Sequence, residues 1–568
     1  MKFDRFLSRK ILLLNIIVIL GLFFFIPLIL DLIEFSTRIL IISYLGMILI
    51  AILIALILVD IFFLVFKRKN YYLLSILNMS INVLLFILMM YSFINNIFEI
   101  VYVMNYSHTT LAPIYKFVAI WAGEEGSIMT WMFFNSVVIN FYRLNNQDQE
   151  DSIFIRSVIM SLIISTVFLF ILFSLNPFRV NSPPDFPNGR GLNPLLISPF
   201  LIWHPFFTFI AYAIFLIPFI ITIAEVTTRN SKLLNSYQQR FYDFSLKFGW
   251  LVLTLSIGLG AYWAKIASNW GRYWGWDPVE TVSLIPWIFI TAFFHTIIFK
   301  KKNPRLTKIN VGLIFSSIVF STLITRGGGL SSLHAFTGDA NLVIWVVILG
   351  FMLICFTLYI IYIVLDYLME EYRNKKLLFD YLSYLFLFGL AFVCTFGLFI
   401  PPFTHLLSNF LPIDVIFIGV DYFIVTSLSL ATGLALSLIF CSLWEYFDIK
   451  WIGVAIIIGI MIQLALSYIV LIIFNIWINP ILIIFFISLF SSLFKLGKNF
   501  NLNKGFKYFF RLNSKTIIHA GISLILAGFL VSSMYKDIFF IPGFFLLLIG
   551  IIPSILITFF PKREVIQE

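Results

Sequence analysis

Apolar runs of roughly 20 residues recur along the whole chain, separated by shorter polar segments. A run of that length spans a bilayer as a helix, the conformation that satisfies its own backbone groups inside lipid. About 16 such spans (15 or 16) are predicted, at 11–30, 39–65, 72–94, 126–142, 153–175, 201–225, 246–267, 283–299, 310–325, 342–365, 379–400, 420–444, 451–474, 477–494, 515–534 and 539–560. The stretch 113–142 has room for a surface helix before its span. The first run follows Lys2, Arg5, Arg9 and Lys10 and lacks a small-residue cleavage site, so it reads as an uncleaved anchor.

The 568 residues are 61% apolar and only 11% charged, which excludes a soluble enzyme. The net charge of +11 reflects a scarcity of acids rather than a basic face, which argues against nucleic acid as a partner. Cys355, Cys394 and Cys441 lie in apolar runs and form no CxxC pair, so no disulfide framework or thiol site is indicated. Basic residues set the orientation. Lys67–Lys69, Arg229 to Arg240, Lys300–Arg305, Arg373–Lys376, Lys495–Arg511 and Lys562-Arg563 fall in alternate loops, leaving about 30 of the 38 on one side. Both termini are therefore cytoplasmic. The fold class is an all-α polytopic integral membrane protein of the cell (cytoplasmic or inner) membrane, carrying a Trp-rich extracytoplasmic loop. The outer loops 95–125, 176–200, 268–282, 326–341 and 401–419 are the longer ones, rich in Gly, Pro and Trp, so the active face is extracytoplasmic.

Six histidines are present. His295 lies five residues before Lys300 and His519 four after Lys515, about 7.5 Å and 6 Å from the basic ends of oppositely directed helices. Two imidazoles at one depth suit a haem iron held between facing helices. Ala520 and Gly521 would leave room beside them for a flat macrocycle. Two unrelated polar residues bonding to neighbouring helices remain the alternative. His204 opens the sixth span and His334 sits in the outer loop after the ninth, which suits either a second haem or headgroup contacts. His108 and His405 are read as structural.

The densest polar-aromatic cluster is Trp270-Gly271-Arg272-Tyr273-Trp274-Gly275-Trp276-Asp277-Pro278-Val279-Glu280. Flat apolar faces gathered on one outer loop suit a flat apolar ligand such as a porphyrin, whereas an interfacial belt scatters its aromatics singly. Arg179, Arg190, Lys265, Arg272 and Arg326 are candidate partners for haem propionates.

This segment resembles the tryptophan-rich WWD motif of the haem-handling proteins of cytochrome c biogenesis, and its flanks narrow the resemblance to the CcmF type. Asn193-Pro194-Leu195-Leu196 leading to His204-Pro205, and Thr325-Arg326-Gly327-Gly328 through His334-Ala335-Phe336, resemble the segments carrying that family's outer histidines. Pro286-Trp287 with His295, and His519-Ala520-Gly521, resemble the membrane histidines. Trp121-Ala122-Gly123-Glu124-Glu125-Gly126-Ser127, preceded by Ser107-His108-Thr109, resembles a further motif. The likeness is strong over about residues 100–340 and afterwards centres on His519. Arg272 and Gly275 depart from the usual small and aromatic residues, Glu124 stands where His is more frequent, and the outer loop between the last spans is nearly absent.

The resemblance implies a haem lyase. A resident haem b would be held by His295 and His519. A second haem, ligated by His204 and His334, would be substrate on the outer face, with Trp270, Tyr273, Trp274, Trp276 and Asp277 as its platform and Arg272 and Arg326 as further haem-binding residues. It implies a CcmE-type haem chaperone, apocytochrome c with a Cys-x-x-Cys-His segment, and thiol-reducing or apocytochrome-presenting CcmH-type proteins as partners. Catalysis would consist mostly of positioning. A CcsA-type synthetase shares the tryptophan motif. A transporter or proton-pump-like subunit would place acids mid-span, where Asp60 is the clearest candidate, and a purely structural scaffold is a third class. Three regions follow: membrane helices at 1–100, a haem-handling core at 101–340, and C-terminal helices at 341–568.

Overall fold

The computed structural model describes residues 17–18, 20–66, 71–145, 151–228, 234–267, 272–296, 304–326, 378–408, 411–474, 478–500 and 505–559. His334, Trp270, Gly271 and the expected span 342–365 lie outside them. The described residues are helical apart from connecting loops and one isolated antiparallel bridge between Ile100 and Val180. Twelve of the helices are long and apolar enough to cross a membrane, and the chain is a multi-pass membrane protein. The remaining expected spans correspond to the short apolar helix α1 (Leu20–Asp31), to α6, to the short α15, and to the undescribed 342–365.

The chain divides into two compact units, with the division inside one helix at Gly249 and Trp250. The first contains α1, α2 (Phe35–Val65), α3 (Tyr71–Ile94), α4 (Val101–Tyr106), α5 (Pro113–Val118), α6 (Glu124–Asn145), α7 (Ser152–Leu175), α8 (Pro199–Thr227) and the start of α9 (Ser236–Ala267). Several polar side chains facing this core are matched inside it, because lipid offers them no partner. Asp60 of α2 and Arg143 of α6 form a two-pronged ion pair at 2.6 and 3.0 Å, both almost fully buried. Ser75 donates to Asn140 at 2.7 Å, and Tyr142 meets Ser157 at 3.1 Å. Helix α9 starts with a reciprocal cap in which Asn235 Oδ1 accepts from the Gln238 backbone and Gln238 Oε1 accepts from the Asn235 backbone.

Outside these helices, residues 176–191 form a strap over 97–109. Main-chain bonds hold it: Val101 N to Arg179 O at 2.9 Å, Asn181 N to Glu99 O at 2.8 Å, Arg190 N to Met104 O at 2.8 Å and Gly191 N to Ser107 O at 2.9 Å. Gly189, at φ +79°, lies so close to Ser107 O that a Cβ would come within 2.1 Å of it.

The second unit holds the rest of α9, α10 (Pro278–Thr296), most of α11 (Pro304–Arg326), α12 (Leu378–Ser408), α13 (Val420–Leu443), α14 (Ile449–Phe474), α15 (Leu482–Lys498), α16 (Gly505–Leu530) and α17 (Lys536–Phe559). Ala431, Ala435, Ile439, Ile452, Ile456, Ile484, Phe485 and Ala527 form a core where α13 to α16 meet. Single hydroxyl pairs join Ser383 to Ser437 and Ser488 to Ser523, each at 2.8 Å. Helix α12 continues through Pro401 and Pro402, so part of the expected outer loop 401–419 is helical and the exposed His405 sits in the last turn. Helices α16 and α17 are nearly in backbone contact: a Cβ on Gly521 would lie 2.7 Å from Gly543 O. Gly521 therefore serves this close helix pairing, and the expectation that it makes space for a macrocycle is corrected, because a neighbouring backbone fills that space.

Candidate functional site

Asp277 and Pro278 start α10. Asp277 Oδ1 accepts from the backbone of Val279 at 2.9 Å and of Glu280 at 3.4 Å, and Pro278 supplies a first-turn residue without an N–H. Asp277, expected as part of a ligand platform, thus caps a helix. Ahead of it, residues 272–277 are irregular, and Glu280 Oε2 accepts from Gly275 N at 2.9 Å. Trp276 has φ +56°, a conformation costly for a bulky residue. It is held there by stacking on Phe423, with ring centres 5.7 Å apart, and by an edge contact with Trp274 at 6.2 Å. The buried Nε1 of Trp274 has no hydrogen-bond partner among the described residues. Tyr273 is buried, stacks on Phe540 at 4.4 Å and donates to Asp537 at 2.6 Å, which also pairs with Lys265. Burial, followed by the Asp537 hydrogen bond, pushes the Tyr273 phenol well above its ordinary range. Tyr273 is therefore an anchor beneath the loop, and Lys265 is already matched by an acid.

Trp274 and Trp276 line a chamber of about 620 Å³ in the second unit. Its walls are mainly apolar, from α9, α10, α12, α13 and α15 to α17, and His295 and His519 line it too. The two imidazoles lie with ring centres 6.4 Å apart and planes 12° apart. Two metal–imidazole bonds of about 2 Å plus the half-widths of two rings give a centre-to-centre separation of about 6 Å, so the pair has the spacing of imidazoles sharing one metal ion. His295 Nδ1 lies 2.9 Å from the carbonyl oxygen of Thr291. A carbonyl only accepts, so Nδ1 carries the proton and the lone pair of Nε2 is left available to a metal. Among the described residues no three His, Cys, Asp or Glu gather into a metal-binding group. A metal between these two imidazoles would take its remaining ligands from a macrocycle, and an apolar chamber of this volume fits such a group.

The first unit holds the other candidates. His204 is half-buried near the start of α8, where Ser198 caps the helix by accepting from Phe200 N at 3.3 Å. Phe206, two residues on, packs edge-on against Phe134 at 5.2 Å and lies 6.0 Å from Trp121. Trp121 opens a tight turn into α6. Tyr102 clasps this turn, donating to Ile120 O at 2.8 Å and accepting from Gly123 N at 3.0 Å. Arg326 is turned inward: its Nε and Nη2 donate to Ser127 Oγ at 3.2 and 2.6 Å, and Ser127 donates to Glu124 O at 2.8 Å. The carboxylate of Glu124 lies near enough to act on Arg326. Glu125 is half-buried, and desolvation raises its carboxyl above the ordinary range against a weaker pull from Arg179. Sequence reasoning quoted Ser127 only within the Trp121–Ser127 motif, without a role, and missed Lys536, which lines the chamber and belongs to no spacing pattern. His108 accepts from Thr110 N at 3.2 Å in a local turn, consistent with a structural role. Asp60, the acid that kept a transporter in view, is committed to Arg143.

Residues 121–334 match the family model described as "Cytochrome C assembly protein". A Haemophilus influenzae protein named cytochrome c-type biogenesis protein CcmF is 35% identical over 259 residues, 45% of this chain and 39% of that protein. Its Escherichia coli namesake is 34% identical over the same length, and the probable biogenesis protein NrfE of that organism is 31% identical over 253 residues, 44% of this chain and 45% of that one. The chain thus spans less than half the length of these curated relatives. A solved structure of a protein named cytochrome c heme lyase CcmF superposes with a TM-score of 0.63 at 18% identity, covering 87% of this chain and 77% of that one, which is a likeness of fold.

Proposed function

We propose that this chain is a CcmF-type cytochrome c biogenesis protein and a membrane haem lyase. His295 and His519 hold a resident haem b. A second haem reaches the outer face as substrate, rests on Trp274 and Trp276 with Trp270, and is ligated by His204 and His334. Each thiol of the apocytochrome Cys-x-x-Cys-His segment adds across one vinyl double bond. A sulfur–carbon bond forms at one vinyl carbon, the proton ends on the other, and nothing is oxidised or reduced overall. The chain need supply no nucleophile for this addition. Its residues fix the porphyrin edge and the iron in place, and holding two reactants in register is worth several kcal/mol of barrier, on the order of 7–11 kcal/mol at best. A CcmE-type chaperone delivering the haem and CcmH-type proteins presenting the reduced thiols complete the reading. The resident haem would supply one-electron chemistry. Toward it, this chain contributes the two imidazoles, the Thr291 carbonyl that orients one of them, and the apolar walls.

The parallel imidazole pair inside the chamber carries this proposal. The test is the visible spectrum of the purified full-length protein. A low-spin bis-imidazole b-type spectrum, lost in His295→Ala and in His519→Ala, is expected. A colourless, folded protein that still supports cytochrome c maturation would refute the resident site. His204→Ala and His334→Ala are expected to keep that spectrum and abolish maturation, and normal maturation in both would remove the outer ligands.

A further inference from the structure

The mouth of the chamber carries positive charge that is unmatched among the described residues. Arg272 and Lys536 both line it, Arg272 exposed beside Tyr273 and Lys536 half-buried at the first turn of α17. Neither forms an ion pair among the described residues. The neighbouring acid, Asp537, is engaged by Lys265 and Tyr273. The charge of Arg272 bears on Lys536, so two like charges sit at the edge of an apolar space without a counter-ion among the described residues. Such an arrangement is unfavourable alone and becomes favourable when an anion lies between the two groups. His519 lies eleven residues before the end of α16, about 16 Å along the helix. The lip is therefore beyond the edge of a macrocycle centred between the imidazoles. The chamber wall also carries Trp274, Trp276, Phe529 and Phe540.

We propose that Arg272 and Lys536 form a carboxylate-binding lip that holds the two propionates of the second tetrapyrrole, with its macrocycle against Trp274 and Trp276. The inference rests on the reading of the tryptophan loop as a haem platform and adds the group that orients the ligand on it. Clamping the carboxylate edge fixes the direction of the opposite, vinyl-bearing edge, as attachment at that edge requires.

The test uses iron-free protoporphyrin IX, which takes no axial ligand and so does not depend on any histidine. The full chain in detergent is titrated with the diacid and with its dimethyl ester, following quenching of tryptophan fluorescence. The diacid is expected to bind at least tenfold more tightly than the ester. The difference should shrink in Arg272→Gln and Lys536→Gln and vanish in the double variant, with the resident haem spectrum unchanged in all three. Equal binding of diacid and ester to the unaltered protein overturns the proposal, whether or not the variants fold. A diacid preference that survives the double variant also overturns it, as does one abolished by added phosphatidylglycerol, which would assign the lip to a lipid headgroup. Loss of the haem spectrum in His295→Ala has no bearing on this comparison, so failure of the resident site and failure of the lip are separately visible.

Discussion

The guanidinium of Arg326 meets the hydroxyl of Ser127 through two of its nitrogens, Nε and Nη2, in a buried site. An arginine ending a membrane helix would ordinarily extend toward water or a ligand carboxylate. Here those two groups are committed to the turn that opens α6, and Nη1 donates to Thr325 Oγ1 at 3.1 Å. Ser127→Ala removes the acceptor and leaves a buried charge short of a partner, so a loss of about 2 kcal/mol of stability is expected, seen as a lower midpoint in thermal unfolding. An unchanged midpoint would show that Arg326 reaches another acceptor at no cost.

The Asp60–Arg143 pair gives a larger expected effect. Removing one member strands the other in an apolar surround, which costs about 3–5 kcal/mol. Asp60→Ala and Arg143→Ala should each lower folded yield and thermal midpoint, and Asp60→Leu with Arg143→Met should recover much of the loss. Equal loss in the paired variant would mean that the ion pair itself, rather than an unmatched charge, matters.

Glu125 offers a pH readout. Its carboxyl is raised by burial in the folded chain, so the folded state holds its proton more tightly than the unfolded state does. Stability from this group is complete below the ordinary glutamate range and is lost as pH rises through the folded value. Glu125→Gln keeps the neutral form at every pH. Its thermal midpoint should equal that of the unaltered protein near pH 4 and exceed it at pH 7; a constant gap across that range would exclude the titration.

Gly126 tolerates no side chain. An added Cβ would lie 1.8 Å from Ile120 O and 2.4 Å from the Tyr102 hydroxyl, both fixed by their own hydrogen bond. Gly126→Ala should therefore open the turn that carries Ser127, and lower thermal stability more than Ser127→Ala does. A midpoint within a degree of the unaltered protein would contradict the packing at this turn.

Much of this architecture is written in the apolar runs, because lipid imposes one element and one length on each span. The pairing of His295 with His519 was also readable, since basic residues mark helix ends and rise per residue puts the two imidazoles at one level of oppositely directed helices. What stayed hidden depends on packing between segments far apart in sequence. Nothing near Asp277 announces its capping role until α10 is seen to start at Pro278. Gly521 looked like room for a cofactor because its true neighbour, Gly543, lies on another helix. Lys265 and Lys536 look alike in sequence, and only the folded chain shows that Asp537 matches the first.

The strap at 176–191 is fastened to 97–109 through main-chain atoms. A seam sewn in peptide groups makes few demands on side-chain identity, apart from glycine where the two backbones touch. Substitutions elsewhere along the strap should therefore leave the fastening in place.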